Sequence, residues 1–247
     1  MSAKVSKASG PYIFSHWGAT VSNATLSCRA LPAVQCSACG ERNIEVQVSF
    51  PSLRIPAAVN PRFLKRMVTT VDQPTWYKIC AAFSADNPRF TTFVPGMHIR
   101  PIILRTTGKL RDLLCSGIEI FFSRRVIEQL QSAGILIHPY PVQVYKRGVR
   151  VQDYYVLEPK VVSVTDSGWM RKCYSQCKCC KAWKRRIPFK EYLAHDKDRK
   201  FDKSRWPGRE GVVYTPDRPF VLYSETFVKA CESNLAGLVF EQAGKWV

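Results

Sequence analysis

The sequence has no long hydrophobic run. Its most apolar stretches, "GIEIFF" and "AGILI", fall far short of the roughly 20 residues a helix needs to cross a bilayer, so no membrane partner is expected. The leading "MSAKVSKASGPYIFSHWG" lacks the apolar block of a secretory leader, and a cytoplasmic address is expected from it. Acidic residues are scarce, 19 against 37 Lys and Arg, and they are scattered rather than paired for acid–base work. The four histidines, His16, His98, His138 and His195, stand in no recognisable catalytic spacing. The phosphate-binding and dinucleotide-binding glycine motifs, G-x-S-x-G and H-E-x-x-H are all missing, as is the deaminase signature. A non-enzymatic protein is the expectation.

What is present begins with charge. The net charge is +18, and residues 160 to 209 carry fifteen Lys/Arg against five Asp/Glu. More than half of the excess therefore sits in about a fifth of the chain. Within it Lys181, Lys184, Arg185, Arg186, Arg199, Lys200, Lys203 and Arg205 alternate with aromatics that include Trp183 and Trp206. Cations beside rings suit phosphate neutralisation with base stacking, and they suit an acidic protein partner equally. No specific nucleic-acid motif accompanies them.

Ten cysteines are the second feature. In a reducing compartment clustered thiols read as metal ligands rather than disulfides. Cys28, Cys80, Cys115 and Cys231 are isolated and read as small buried hydrophobes. "CSACG" is a C-x2-C turn, Cys36 and Cys39, with Gly40 free to adopt positive φ. "CYSQCKCC" supplies a second pair, with Lys181 where a glycine would be expected. The expectation is one structural Zn²⁺ per chain on Cys36, Cys39, Cys177 and Cys180, with Cys179 or Cys173 as competing ligands. Four thiolates close the site and weaken Lewis acidity, so the metal is expected to hold the fold rather than do chemistry.

Local patterning gives the fold class. "IEVQVSF" alternates as a strand, "PRFLKRMVTTV" opens a helical turn at Pro61, and "DNPRFTTFVPGMHIRP" reads as loop with a turn at Pro95-Gly96. In residues 117 to 145, "IEIFF" is a strand and Ser123 an N-cap. Val126, Ile127 and Leu130 form an apolar helix face, Gly134 is the stop, and "ILI" is extended. The end repeats this order: "FVLY", then Ser224 as N-cap, a face of Phe227, Val228, Cys231 and Leu235, a stop at Gly237, and "LVFE". An α+β chain is expected, one zinc-clamped unit of two loosely similar halves, 1–150 and 151–247. Each half would be a cysteine knuckle followed by a strand–helix–strand unit.

"CSACG", the second C-x-x-C group, the middle segment "VPGMHIRPIILRTTGKLRDLLC…RRVIEQLQSAGI" and the tail "FVLYSETFVKACESNLAGLVFEQ" together resemble the bacterial double-CXXCG motif family, paralogues expanded in myxobacteria. This chain departs from the family pattern in reading "CKCCK" at the second motif and in the long basic stretch after it. The resemblance implies a cytoplasmic, non-catalytic binding protein, since some members are described as immunity proteins that neutralise a cognate toxin. Only the cysteines carry over from it.

Overall fold

A computed structural model describes residues 10–17, 22–40, 42–43, 48–64, 69–90, 92–116, 119–178, 183–185, 191, 198–215, 220–234 and 238–247. The fold is mixed α+β, rich in curled sheet and sparing in helix. Its largest sheet has seven strands in the order Ser22–Asn23, Leu113–Ser116, Glu119–Ser123, Val149–Leu157, Pro139–Lys146, His98–Thr106, Thr25–Ala30. The two edge strands are consecutive in the chain and separated by Ala24 alone. One continuous segment thus belongs to both edges, and the sheet closes on itself.

Three hydrogen bonds fasten that seam. The Ala24 N–H donates to the Cys115 carbonyl at 2.8 Å, the Leu26 N–H to Ser116 Oγ at 3.1 Å, and Thr106 Oγ1 to the Asn23 carbonyl at 2.9 Å. Closure leaves few unpaired strand groups to attract other chains. Along Thr25–Ala30 burial alternates, so that Leu26 and Cys28 face the enclosed core with Leu104, Leu114, Phe121 and Val144.

The other face of Glu119–Ser123 carries Ile120 and Phe122 into a second core. There the Arg124–Ser132 helix adds Val126, Ile127 and Leu130, and the Glu225–Asn234 helix adds Phe227, Val228 and Cys231. The two strand–helix–strand units therefore pack through their helices, and Phe122 meets Phe227 edge-on at 6.3 Å. The second unit lies on a five-stranded sheet ordered Lys160–Val161, Val212–Thr215, Phe220–Tyr223, Tyr12–Trp17, Leu238–Gln242. This core draws on residues from both sides of position 150.

The expected helix signals meet different fates. Ser224 caps as anticipated, its Oγ accepting the Phe227 N–H at 3.1 Å. Ser123 has N-cap geometry, but its Oγ donates to Asp112 Oδ1 at 2.7 Å instead of serving the helix. Gly134 takes φ +73°, and the Gly134 N–H to Gln131 O and Ile135 N–H to Leu130 O bonds close the helix end as a Schellman motif. Leu235 and Gly237 lie outside the described residues. Leu136 is extended, bridging Glu210, and regular strand resumes at Pro139.

Two elements depart from the sequence reading. The helix Gln73–Asp86 was not anticipated, although its signals are local: Asp72 accepts the Thr75 N–H at 2.8 Å, and a proline sits in the first turn. Trp76, Ile79 and Phe83 form its buried face. Buried Asn87 ends it, its amide donating to the Phe83 and Arg54 carbonyls at 2.9 Å and accepting the Arg54 N–H at 2.6 Å. The strand His98–Thr106 also begins inside the segment read as loop. Pro101 is tolerated in it because ladder pairing to Thr25–Ala30 is interrupted between Ile99 and Ile103, where a missing N–H costs little. The expected turn just before that strand is present, with Gly96 at φ +87° and the Met97 N–H on the Val94 carbonyl. Pro61–Leu64 is a single 3-10 turn. Of "IEVQVSF", residues 44–47 lie outside the described residues, and Ser49 bridges His98.

Candidate metal centre

The first cysteine pair sits at the tip of a hairpin. Ala33–Gln35 is held between Arg42–Asn43 on one side and Thr70–Asp72 on the other, and its Ala33 and Val34 are buried. The last pair across the hairpin is Gln35 with Arg42, with residues 36–41 between them in the sequence. Gly40 turns the chain back at φ +68°, and its N–H donates to the Cys36 carbonyl at 2.8 Å. This conformation is costly for any residue with a Cβ, which explains the glycine after the second cysteine.

The second group is also a hairpin tip. Tyr174–Gln176 pairs antiparallel with Trp183–Arg185, and the last pair is Gln176 with Trp183, with residues 177–182 between them in the sequence. Cys177 takes the same place after its strand as Cys36 does after its own.

The two tips meet. The Sγ atoms of Cys36, Cys39 and Cys177 all lie within 4.8 Å of one another, and Cys36 and Cys177 are 3.9 Å apart across 141 residues of chain. A tetrahedron of sulfurs at the usual Zn–S bond of about 2.3 Å has edges of about 3.8 Å. A disulfide would need about 2.05 Å, so Cys36 and Cys177 are not bonded to each other, and their 3.9 Å separation is compatible with two ligands of one ion. These three cysteines lie close enough to bind a metal ion, with Cys36 fully buried. Cys179 and Cys180 lie outside the described residues. Cys173 ends the helix Ser167–Cys173 before the hairpin begins.

The basic stretch is described in part. Lys181 and Arg186 lie outside the described residues, and the Trp183, Lys184 and Arg185 backbone forms the returning strand of the second hairpin. Lys200, Lys203 and Arg205 are exposed, Arg205 in an ion pair with Asp202 at 3.0 Å. Arg199 is half-buried. Trp206 is half-buried edge-on to Trp246 at 5.5 Å, and its indole N–H donates to the Glu210 carbonyl. Phe201 is fully buried.

Two histidine–carboxylate contacts had no signal in the sequence, because their partners meet only through the tertiary fold. His138 Nε2 and the Lys160 ammonium approach the buried Glu210 carboxylate at 3.2 and 3.7 Å. His98 is buried against Glu119, Nδ1 to Oε2 at 3.1 Å. Burial alone would lower the His98 pKa. Interaction of the ring with Cys28 and with the Glu119 carboxylate outweighs it and pushes the value up to about 10.

That shift has a definite sign in stability. The folded value lies above the ordinary one of about 6.5, so the contribution is complete below pH ~6.5 and is lost as pH rises toward 10. Urea midpoints are expected to fall across that window, and His98→Gln should flatten the decline. A variant with the wild-type slope would contradict the assignment.

Among the described residues no helix is long and apolar enough to cross a membrane. The fold and site define a curled-sheet α+β protein with a metal-competent thiol centre. No protein-family model, curated protein or solved structure matches the chain.

Proposed function

We propose that this chain is a non-enzymatic binding protein stabilised by one structural Zn²⁺, which clips the Cys36–Cys39 hairpin to the hairpin that begins its loop at Cys177. The observation that carries this reading is the approach of three thiols from two hairpin tips. Six residues of sequence separate the last strand pair in each hairpin, so Cys180 is fourth in sequence after Gln176 as Cys39 is after Gln35. That count favours Cys180 over Cys179 and Cys173 as the fourth ligand. A four-thiolate set leaves no open position for water, so the ion serves architecture and couples two halves of the chain.

The partner we propose is a protein, a cognate bacterial toxin, on the strength of the double-CXXCG resemblance, and the setting is the cytoplasm. The alternative, nucleic-acid binding through 181–209, is favoured by the exposure of Lys200, Lys203 and Arg205. It is weakened by the engagement of Phe201 and Trp206 in packing.

Elemental analysis of the purified full chain tests the clamp: one zinc per chain is expected, and a metal-free folded protein overturns it. Coexpression with the toxin encoded beside its gene tests the partner. Rescue of growth is expected, whereas undiminished toxicity together with salt-sensitive retention of DNA or RNA would move the assignment to the alternative.

A further inference from the structure

A second concentration of positive charge lies on the closed sheet, outside the basic stretch 160–209. The segments 22–30, 98–106 and 139–151 together hold six Lys and Arg and no Asp or Glu. They are distant in sequence and become neighbours only in the sheet. There Thr25–Ala30, His98–Thr106, Pro139–Lys146 and the start of Val149–Leu157 lie side by side in that order.

Val142 and Val144 turn into the enclosed core beside Leu26 and Leu104, so strand alternation directs Tyr145 and Arg105 to the outer face. The register then sets one outward row across four strands. Thr25 stands opposite Arg105, Arg105 opposite Tyr145, and Tyr145 opposite Arg150. With neighbouring strands about 4.8 Å apart, the Tyr145 ring has a guanidinium-bearing strand immediately on each side. Lys146 and Arg147 carry the positive charge on into the turn of the Pro139–Leu157 hairpin.

This face is open and its charge is unanswered. Thr25, Arg105, Arg147 and Arg150 are exposed, and Tyr145 and Lys146 are half-buried. Among the described residues Tyr145 belongs to none of the hydrophobic clusters. Arg124, Arg125 and Arg205 each have an Asp partner, whereas Arg105, Lys146, Arg147 and Arg150 form no ion pair among the described residues. Four gathered cations repel one another, a cost that an anionic occupant removes. The ring narrows the choice of anion. A carboxylate-rich protein would answer the cations and leave the ring idle, and a duplex keeps its base faces inside the stack. A single strand uses both, its phosphates meeting the cations and an unpaired base lying on the ring.

We propose that the outer face of the closed sheet, centred on Tyr145, binds single-stranded nucleic acid. One base stacks on the Tyr145 ring, the phosphates on either side of it meet Arg105 and Arg150, and Lys146 and Arg147 extend the track along the backbone. Recognition is tolerant of sequence, because every base offers a face for stacking and no base-edge reader stands in the row. The surface shares no residue with the metal clamp or with 181–209, so it stands or falls independently of both.

The test titrates the full-length chain into a fluorescein-labelled oligothymidylate of about twelve nucleotides, a length suited to one small closed sheet, and reads anisotropy. Reversing Arg105 and Arg150 to Glu should weaken binding at least about tenfold and reduce the slope of log affinity against log salt by about 1.4, the value for two phosphate contacts to a single strand. Reversing the exposed Lys200 and Lys203 to Glu changes the net charge equally and should cost less than about threefold, since only the location differs. Tyr145→Leu keeps an apolar side chain without a π-face and should lose about fivefold or more, while Tyr145→Phe keeps the ring and the affinity. Absence of binding, equal losses from the two charge reversals, or indifference to Tyr145→Leu would overturn the proposal. Displacement of the probe by polyglutamate as readily as by unlabelled oligothymidylate would also overturn it, and would assign the face to an acidic protein.

Discussion

Cys36→Ser is expected to strip the chain of its metal and lower its melting temperature by roughly 10–15 °C. The size follows from what a bound ion would connect. Cys36 and Cys177 are 141 residues apart, and a cross-link closing a loop of that length removes about 4–5 kcal/mol of unfolded-chain entropy. A metal bridge constrains the unfolded chain less fully than a covalent bond, which places the loss at about 3–5 kcal/mol. For a chain of this size each kcal/mol moves the melting temperature by about 2–4 °C. Scanning calorimetry paired with elemental analysis measures both quantities in one preparation. Cys231→Ser supplies the control, because that buried thiol belongs to the core between the helices and its loss should destabilise without releasing metal. Retention of the ion by Cys36→Ser, or an unmoved transition, would remove Cys36 from the ligand set.

Phe227→Ala should cost about 4 kcal/mol, enough to consume a large share of a typical domain's stability. Phe227 is fully buried and touches three rings: Phe122 at 6.3 Å, Tyr223 at 5.1 Å and Phe240 at 6.2 Å. Phe122 belongs to the closed sheet, while Tyr223 and Phe240 belong to the five-stranded sheet. Truncation therefore opens a cavity where the two sheets and both central helices converge, and the edge-on ring contacts are lost with it. Phe227→Leu keeps most of the volume and should cost under about 1.5 kcal/mol. Urea unfolding separates the two, and a loss below about 1 kcal/mol for the alanine variant would mean that the core closes over the gap.

The contrast between what the sequence disclosed and what it concealed follows the range of the interactions. Gly134, Ser224 and the apolar run "FVLY" act on neighbours a few residues away, so both strand–helix–strand units are recognisable. The turn at Gly96 and the knuckle at Gly40 are likewise local, each a demand for positive φ. The helix Gln73–Asp86 carries comparable local signals in Asp72 and Pro74. Closure of the large sheet belongs to another category. It depends on residues 22–30 meeting partners 68 to 92 positions onward, and no local pattern encodes that. The His98–Glu119 contact is hidden for the same reason. In "CYSQCKCC" four cysteines compete for two positions, and only the Gln176–Trp183 pairing supplies a frame in which positions along the chain can be counted.

The seam at Ala24 has a consequence in time. Residues 22–30 leave the ribosome long before the strands at 98–106 and 113–116 that they must join. The earliest-made part of the barrel is thus the part that waits longest for its partners. Until Leu113–Ser116 has been synthesised, the segment can satisfy at most one of its two edges, and the other stays open to foreign strands. The finished protein hides this exposure completely, since the strand that was first to be vulnerable is the one that shuts the barrel.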